Sequence, residues 1–448
     1  MNSRTMYRNW LSLCTFVVVS LLSLNAHAVP SFARQTGQNC ATCHTSWQEL
    51  TPFGRHFKLT GYTIGERSLT PVAVMGQIGA TSTDNPNDAS GAPLVRKDGD
   101  PRFSLASLFV AGKATDNIGT FIQWTFEHTA PSHSHVDNVD IRGAWNFSLA
   151  DKELILGATL HNNPTVQDVW NSTPAWGFPY TQSPDAISIG SPVTTQIEGG
   201  LSQLVAGTGA YAWWNRSFYG ELTFYRTADG VFSPMRAGIL KKDQQTLVGE
   251  NPYWRFAYSK DWGPHSIMLG TYGMHVKMYS DPQDRTSPTN KFTDTALDAQ
   301  YQYITDQHVF TAQGTLIHEK QNLWDSTDSV YLSDHLNTVK GKITYYYQRK
   351  YGGTLGLFST TGNSDPLNST YGFTNTLDSN NAQITNGNSS PNSRGYIAEL
   401  DYLPMQNVRL MLQYNGYWKY LGASTNVDNN GRRASDNNSL FMNLWFLF

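Results

Sequence analysis

The chain has 448 residues, a formal net charge of −3 and only 15% charged residues, too mild a balance for a nucleic-acid-binding protein. Aromatic residues reach 13% while all apolar types together make up only 39%, which leaves a large secreted β protein or an outer-membrane barrel. After residue 28 no apolar stretch reaches the ~20 residues of a transmembrane helix, which excludes a helical membrane protein.

Residues 1–28 read as a signal peptide. Arg4 and Arg8 form a basic start, an apolar run extends from Trp10 to Leu24, and Ala26-His27-Ala28 is a small-residue cleavage site. Cleavage would leave a chain beginning at Val29, take the net charge from −3 to −5 by removing Arg4 and Arg8, and remove Cys14. Only Cys40 and Cys43 remain of the 3 cysteines, and two residues so close in sequence cannot staple a large disulfide framework.

Residues 29–69 form a small first unit. Cys40-Ala41-Thr42-Cys43-His44 fits C-x-x-C-H, the attachment motif of c-type haem. Two thiols at this spacing form thioethers to the vinyl groups of one porphyrin, and His44 lies under the iron as proximal ligand. A redox C-x-x-C is expected near a βαβ pattern, which is absent, and a structural zinc site needs four ligands. A disulfide would leave His44 unexplained. His or Met usually supplies the sixth ligand, and the candidates are His56 and then Met75, which could equally face lipid. His128, His133, His135 and His161 could serve only if the haem sits inside a barrel. Roughly forty residues lie near the limit below which a domain needs a staple or partner. The unit is therefore expected to use haem as its core and to plug, or dock on, the lumen of a barrel formed by the rest of the chain.

From residue 70 to 448 the chain reads as an all-β, antiparallel transmembrane barrel of about 16 strands, each of ~10 residues with alternating apolar positions. An opening strand spans Val72–Thr83. Hairpins follow at Arg102–Ala114 with Ile118–His128, Asn138–Ala150 with Leu154–His161, and Ser202–Trp214 with Phe218–Thr227. The series continues with Pro252–Lys260 and His265–Tyr279, Thr293–Thr305 and His308–Glu319, His335–Gln348 and Gly353–Thr360, then Gly395–Leu403 and Val408–Trp418. Asp, Asn, Gly and Pro at the short reversals supply the φ values and local hydrogen bonds that tight turns need. The closing strand Ser439–Phe448 sets Leu440, Met442, Leu444, Phe446 and Phe448 on one face. A hydrophobic edge of this kind is safe only when a barrel closes over it.

Between the hairpins lie long polar connections: 84–101, 129–137, 162–201, 228–251, 280–292, 320–334, 361–394 and 419–438. Short turns at one end and long loops at the other is the asymmetry of outer-membrane barrels, whose even strand number returns both termini to the periplasmic side. Asn162–Pro179, rich in proline and aromatic residues, is either an inward constriction loop or an exposed lid. Asp84, Asp88, Asp98, Asp100 and Asp137 are scattered loop acids that could attract cations, though a solvated surface explains each.

Pro30-Ser31-Phe32-Ala33-Arg34-Gln35-Thr36-Gly37, Cys40–His44, Glu49-Leu50-Thr51-Pro52-Phe53-Gly54-Arg55 and Phe57-Lys58-Leu59-Thr60-Gly61-Tyr62 make up the haem segment, with Asn162-Asn163-Pro164-Thr165, Asp168, Trp170-Asn171, Pro174 and Trp176-Gly177 beyond it. In these residues the chain resembles the fused outer-membrane monohaem cytochrome–porin family of iron-oxidising bacteria. The resemblance is close in the haem segment and mainly architectural in the barrel. It implies a single covalently attached haem c, oxidation of extracellular Fe(II), a periplasmic electron carrier such as a soluble cytochrome c, and a ferrous iron:cytochrome c oxidoreductase activity in the outer membrane. Two other functions fit the same elements: a haem-bearing diffusion porin, and an electron conduit that reduces extracellular metal.

Overall fold

A computed structural model describes residues 30–95, 98–127, 133–239, 245–326, 328–364, 390–428 and 430–448. The signal peptide, His128 and most of the 361–394 connection lie outside them. Sixteen antiparallel strands close into one barrel in which each strand pairs with its sequence neighbours and β1 (Val72–Thr83) pairs with β16 (Ser439–Leu447). Closure gives every strand two partners, the only way a sheet can satisfy its backbone in hydrocarbon.

The other strands are β2 (Arg102–Lys113), β3 (Ile118–Glu127), β4 (Ser134–Leu149), β5 (Lys152–His161), β6 (Val205–Trp214), β7 (Phe218–Thr227) and β8 (Asn251–Trp262). The second half holds β9 (His265–Tyr279), β10 (Thr289–Ile304), β11 (His308–Asp325), β12 (Val330–Tyr347), β13 (Tyr351–Gly362), β14 (Ser393–Met405) and β15 (Val408–Lys419). At the short-turn end, Ala150-Asp151, Asn215-Arg216 and Gln348-Arg349 each hold two successive positive φ values. Such turns match the right-handed twist of the strands they join.

The alternation reads outward to lipid and inward to a polar lumen. On β16, Leu440 and Met442 are exposed whereas Phe441, Asn443 and Trp445 are buried. Aromatic rings gather beside the short turns: Phe218 lies 5.2 Å from Tyr258, Tyr351 lies 5.4 Å from Tyr402, and Trp262, Tyr345 and Tyr347 are exposed beside them. This is the interfacial girdle of a membrane barrel.

One expected loop is strand. Residues 320–334 form a long connection in the sequence reading, but β11 continues to Asp325 and β12 begins at Val330. Each of these strands has 18 residues, more than the ~10 that cross a bilayer. Their far ends rise past the hydrocarbon core, so polar residues such as Lys320 and Asn322 occupy outward positions where an apolar one would otherwise mark a strand. β4 likewise starts at Ser134 rather than Asn138, and β6 starts at Val205 rather than Ser202.

The core is inside the lumen and is built by two insertions. From the short-turn end enters the N-terminal segment, with helices α1 (Pro30–Thr36), α2 (Cys40–Cys43) and α3 (Pro52–Leu59). From the long-loop end, residues 162–204 descend between β5 and β6. Leu59 of the first meets Val169 and Trp170 of the second in one cluster with wall residues Tyr211, Trp213 and Tyr219. Ile197 and Leu201 anchor the loop against Tyr253, Tyr272 and Met274. Of the two outcomes open for Asn162–Pro179, the structure takes the inward one.

Candidate haem-attachment site

The C-x-x-C-H run is a single helical turn. Asn39 caps it by accepting the Thr42 amide on Oδ1 at 3.1 Å, and the His44 amide closes it on the Cys40 carbonyl at 2.9 Å. A spacing of three residues on a helix puts Cys40 and Cys43 on the same face. The two form no disulfide. Burial, and then the neighbouring Cys40, push the Cys43 thiol up to about 11, so it remains protonated.

Helix α3 buttresses this turn. Thr51 accepts the Gly54 amide at 3.2 Å and Pro52 occupies the first turn, both favoured at a helix start. Gly54 packs directly on the turn: a Cβ there would lie 2.2 Å from the Cys43 carbonyl oxygen. Phe32, Phe57 and Tyr62 make the segment's own small core, with Phe32 stacked on Tyr62 at 5.2 Å and edge-on to Phe57 at 5.0 Å.

Three groups on the barrel's short-turn end hold the motif. The Cys40 amide donates to Gln406 Oε1 at 3.3 Å, Arg349 donates to the His44 carbonyl at 2.9 Å, and Trp47 stands edge-on to Trp445 of β16 at 5.2 Å. Deeper in the lumen, three charges of the segment are clamped. Arg55 donates to Ser266 at 2.6 Å and Gln302 at 2.7 Å, and pairs with Asp261 at 3.2 Å. Lys58 donates to the carbonyls of Val166 and Asp168 at 2.7 and 2.8 Å and lies 3.8 Å from Asp140. Glu49 accepts from Lys342 of β12 and, at 2.8 Å, from the Tyr180 hydroxyl of the descending loop.

Burial shifts these groups in different directions. It pushes Lys58 down to about 7, assisted by Arg142 and opposed by Asp140 and Asp168. Arg55 falls to about 10 because burial outweighs Asp261 and Asp168. Burial would raise Glu49, but the Lys342 ammonium and the hydrogen bonds from Lys342 and Tyr180 overcome it and hold the carboxylate below its ordinary range. His44 is pushed down to about 4 by burial, against the pull of the Glu49 backbone carbonyl. It is therefore a neutral imidazole, the metal-binding form.

The residues present fit a covalently attached haem. Two thiols share a helical face, and the neutral His44 beside them has a buried Nδ1 with no hydrogen-bond partner. The candidates for the sixth ligand lie on different sides of the segment. Met75 of β1 turns into the lumen, 7% exposed, in one cluster with Trp47 and Trp445, so it does not face lipid. His56 turns toward β6, with its ring 5.7 Å from that of Trp213 and its Nδ1 buried and unpartnered. His161 bonds the Tyr225 hydroxyl at 2.7 Å, and His135 lies 3.7 Å from Glu127. These two and His133 sit where β3, β4 and β5 meet the long loops, so the structure keeps them away from Cys40–His44.

The clamping groups Glu49, Arg55, Lys58, Lys342, Asp140 and Asp168 were not legible as a site. Arg142 and Arg255, both fully buried, extend them. Arg142 pairs with Asp140 at 2.9 Å, and Arg255 pairs with Asp298 and Asp168 at 2.8 and 3.4 Å. The one sequence signal was the spacing of Asp140 and Arg142, which places both on the lumen side of β4.

No known protein family and no curated protein matches the sequence. Among solved structures, the chain is similar to the outer membrane channel DcaP of Acinetobacter baumannii, with TM-score 0.46, 10% identity, and 84% of this chain and 96% of that one covered. An anion-selective porin from Comamonas acidovorans gives TM-score 0.46 and 12% identity over 86% of this chain and 100% of that one. The Salmonella typhi OmpF complex with daunomycin gives TM-score 0.42 and 9% identity over 84% and 97%.

Proposed function

We propose that this chain is an outer-membrane electron-transfer protein that oxidises extracellular Fe(II) and passes the electron to a periplasmic carrier through a haem c on Cys40, Cys43 and His44. The observation that carries the reading is the placement of the C-x-x-C-H turn in the short-turn mouth of a closed barrel, clamped there by buried charges. A hydrocarbon core about 30 Å thick is too wide for an electron to cross without a redox group held within the wall.

In this reading Cys40 and Cys43 would hold the haem covalently and His44 would ligate its iron, with Met75 or His56 as the second protein ligand. A haem held there supplies a one-electron Fe(III)/Fe(II) couple. Arg349 fixes the His44 carbonyl, Gly54 lets α3 approach the cysteine turn, and Trp47, Met75 and Trp445 keep water from one side. Glu49, Arg55 and Lys58 set the depth of the segment, and with it the length of the electron's path. Fe(II) gives up one electron on the outer side, Fe(III) stays outside, and the periplasmic carrier is reduced. Iron as donor rests on the family resemblance.

A second reading, a haem-bearing diffusion porin, is favoured by the barrel itself and by one space within it. A cavity of about 200 Å³ remains between the descending loop and β11–β14, lined by Asn171, Phe178, Glu198, Gln313, Lys340 and Lys342 among others. The test is the absorption spectrum of the purified protein before and after Fe(II) is added. Prompt appearance of reduced-haem bands supports electron transfer. An unchanged spectrum together with solute-dependent liposome swelling would instead establish the porin, and reduction of ferric complexes by the dithionite-reduced protein alone would reverse the direction.

A further inference from the structure

The outward face of β9–β12 can be read row by row from its register. Nearest the short turns lie His265, Tyr303, Phe310 and Tyr345, and the next row is Ile267, Tyr301, Ala312 and Ile343. Leu269, Ala299, Gly314 and Gly341 come third, and then Thr271, Leu297, Leu316 and Val339. Beyond these apolar rows the chemistry changes. Gly273, Thr295, His318 and Asn337 come first, then His275, Thr293, Lys320 and His335, then Lys277, Lys291, Asn322 and Ser333.

Successive rows are two residues apart, about 6.7 Å along a strand, or about 5 Å in height at barrel tilt. The row holding Lys320 is thus about 25 Å above the aromatic row, the height of the lipid-facing band of such barrels. It falls at the headgroups of the outer leaflet.

The acids of these strands all lie on one side. All five acids of β10–β12, namely Asp294, Asp298, Glu319, Asp325 and Asp334, sit at lumen-side positions. The outward side carries no acid, and Lys291, Lys320, His275, His318 and His335 are exposed on it with Lys277 half-buried. Among the described residues none of the three lysines has an ion-pair partner. Two histidines are pre-set by the wall: His275 Nδ1 lies 2.9 Å from Thr293 Oγ1, and His318 Nδ1 lies 2.8 Å from Asn337 Oδ1.

We propose that Lys277, Lys291 and Lys320, framed by His275, His318 and His335, form a binding site for the phosphate groups of a phosphorylated glycolipid in the outer leaflet. The acyl chains of that lipid lie along the apolar rows beneath, so that a single molecule is held at both ends. A neutral headgroup gains nothing from the lysines, whereas a phosphate at that height neutralises three lysines that have no ion-pair partner among the described residues. The site would fix both the depth of the barrel and the environment of its longest hairpin, β11–β12.

The test is binding of bisphosphorylated lipid A and of chemically dephosphorylated lipid A to the intact, detergent-folded protein, followed by native mass spectrometry. The phosphorylated form should bind the wild type tightly and the dephosphorylated form weakly. The Lys277→Gln/Lys291→Gln/Lys320→Gln variant should weaken the phosphorylated form about 100-fold, and Lys291→Gln alone about fivefold. Retained heat-modifiable gel mobility shows that each variant is folded. Equal binding of the two lipids by the wild type overturns the proposal without any variant, as does equal binding of phosphorylated lipid by wild type and a folded triple variant.

Discussion

The barrel wall and the segment it encloses are held by opposite means. Each wall strand is satisfied by its two neighbours and presents apolar residues to lipid, so the wall's backbone pairing does not depend on what it contains. The segment 30–69 has one aromatic trio for a core and is fastened through Glu49, Arg55 and Lys58 to partners on β4, β8, β9, β10, β12 and the descending loop. Buried ion pairs add little net stability, but each fixes a position, because breaking one strands a charge. The contrast predicts a barrel that assembles without haem and an N-terminal segment that has a defined place only within it.

The largest expected effect separates the two regions outright. Replacing both Cys40 and Cys43 by Ala should abolish covalent haem, read as loss of the haem mass and haem stain, while heat-modifiable gel mobility stays that of the wild type. A barrel that fails to assemble without haem would break the comparison.

Next is Lys342→Met, which leaves Glu49 buried without its cation at a cost of about 3–5 kcal/mol. Hydrogen exchange of residues 40–60 should rise sharply while the strands remain protected. Equal loosening of both regions would show that the segment is part of the wall's stability after all. Gly54→Ala should cost about 1–3 kcal/mol, because its Cβ would press on backbone rather than on a movable side chain, and should show as reduced haem incorporation at unchanged barrel yield.

The smallest effect is on pH. The folded Glu49 carboxyl titrates below its ordinary value of about 4.3, because burial is outweighed by Lys342 and Tyr180. Its stabilising contribution is complete above that value and is lost as pH falls through the lower folded value. The part of the pH dependence of residues 40–60 that Glu49→Gln removes should therefore lie below the usual carboxylate range, and a Glu49-dependent loss of protection near neutrality would contradict the assignment.

Legibility in the sequence divides along the same line. Val72–Thr83, Phe218–Thr227 and His265–Tyr279 were legible to the residue, since lipid on one side and lumen on the other impose a two-residue alternation. That contrast fades above the hydrocarbon core, so the ends of β11 and β12 read as a loop. The Cys40–His44 motif is legible because its pattern is local, and the structure folds Cys40–Cys43 as one helical turn. The clamp was not, because Glu49 and Lys342 are 293 positions apart and Arg55 and Gln302 are 247 apart, and no local pattern marks such partners. The fate of Asn162–Pro179 was open for the same reason, since Lys58 and the wall arginines decide it.

The central claim is that haem on this segment carries electrons across the wall. Its most direct measurement uses the haem-loaded protein in liposomes that enclose an oxidised soluble cytochrome c, with Fe(II) added outside. The account predicts reduction of the enclosed cytochrome by the wild type and none by His44→Ala liposomes with the same barrel content. Equal reduction in both, or none in the wild type while small solutes pass freely, would contradict it.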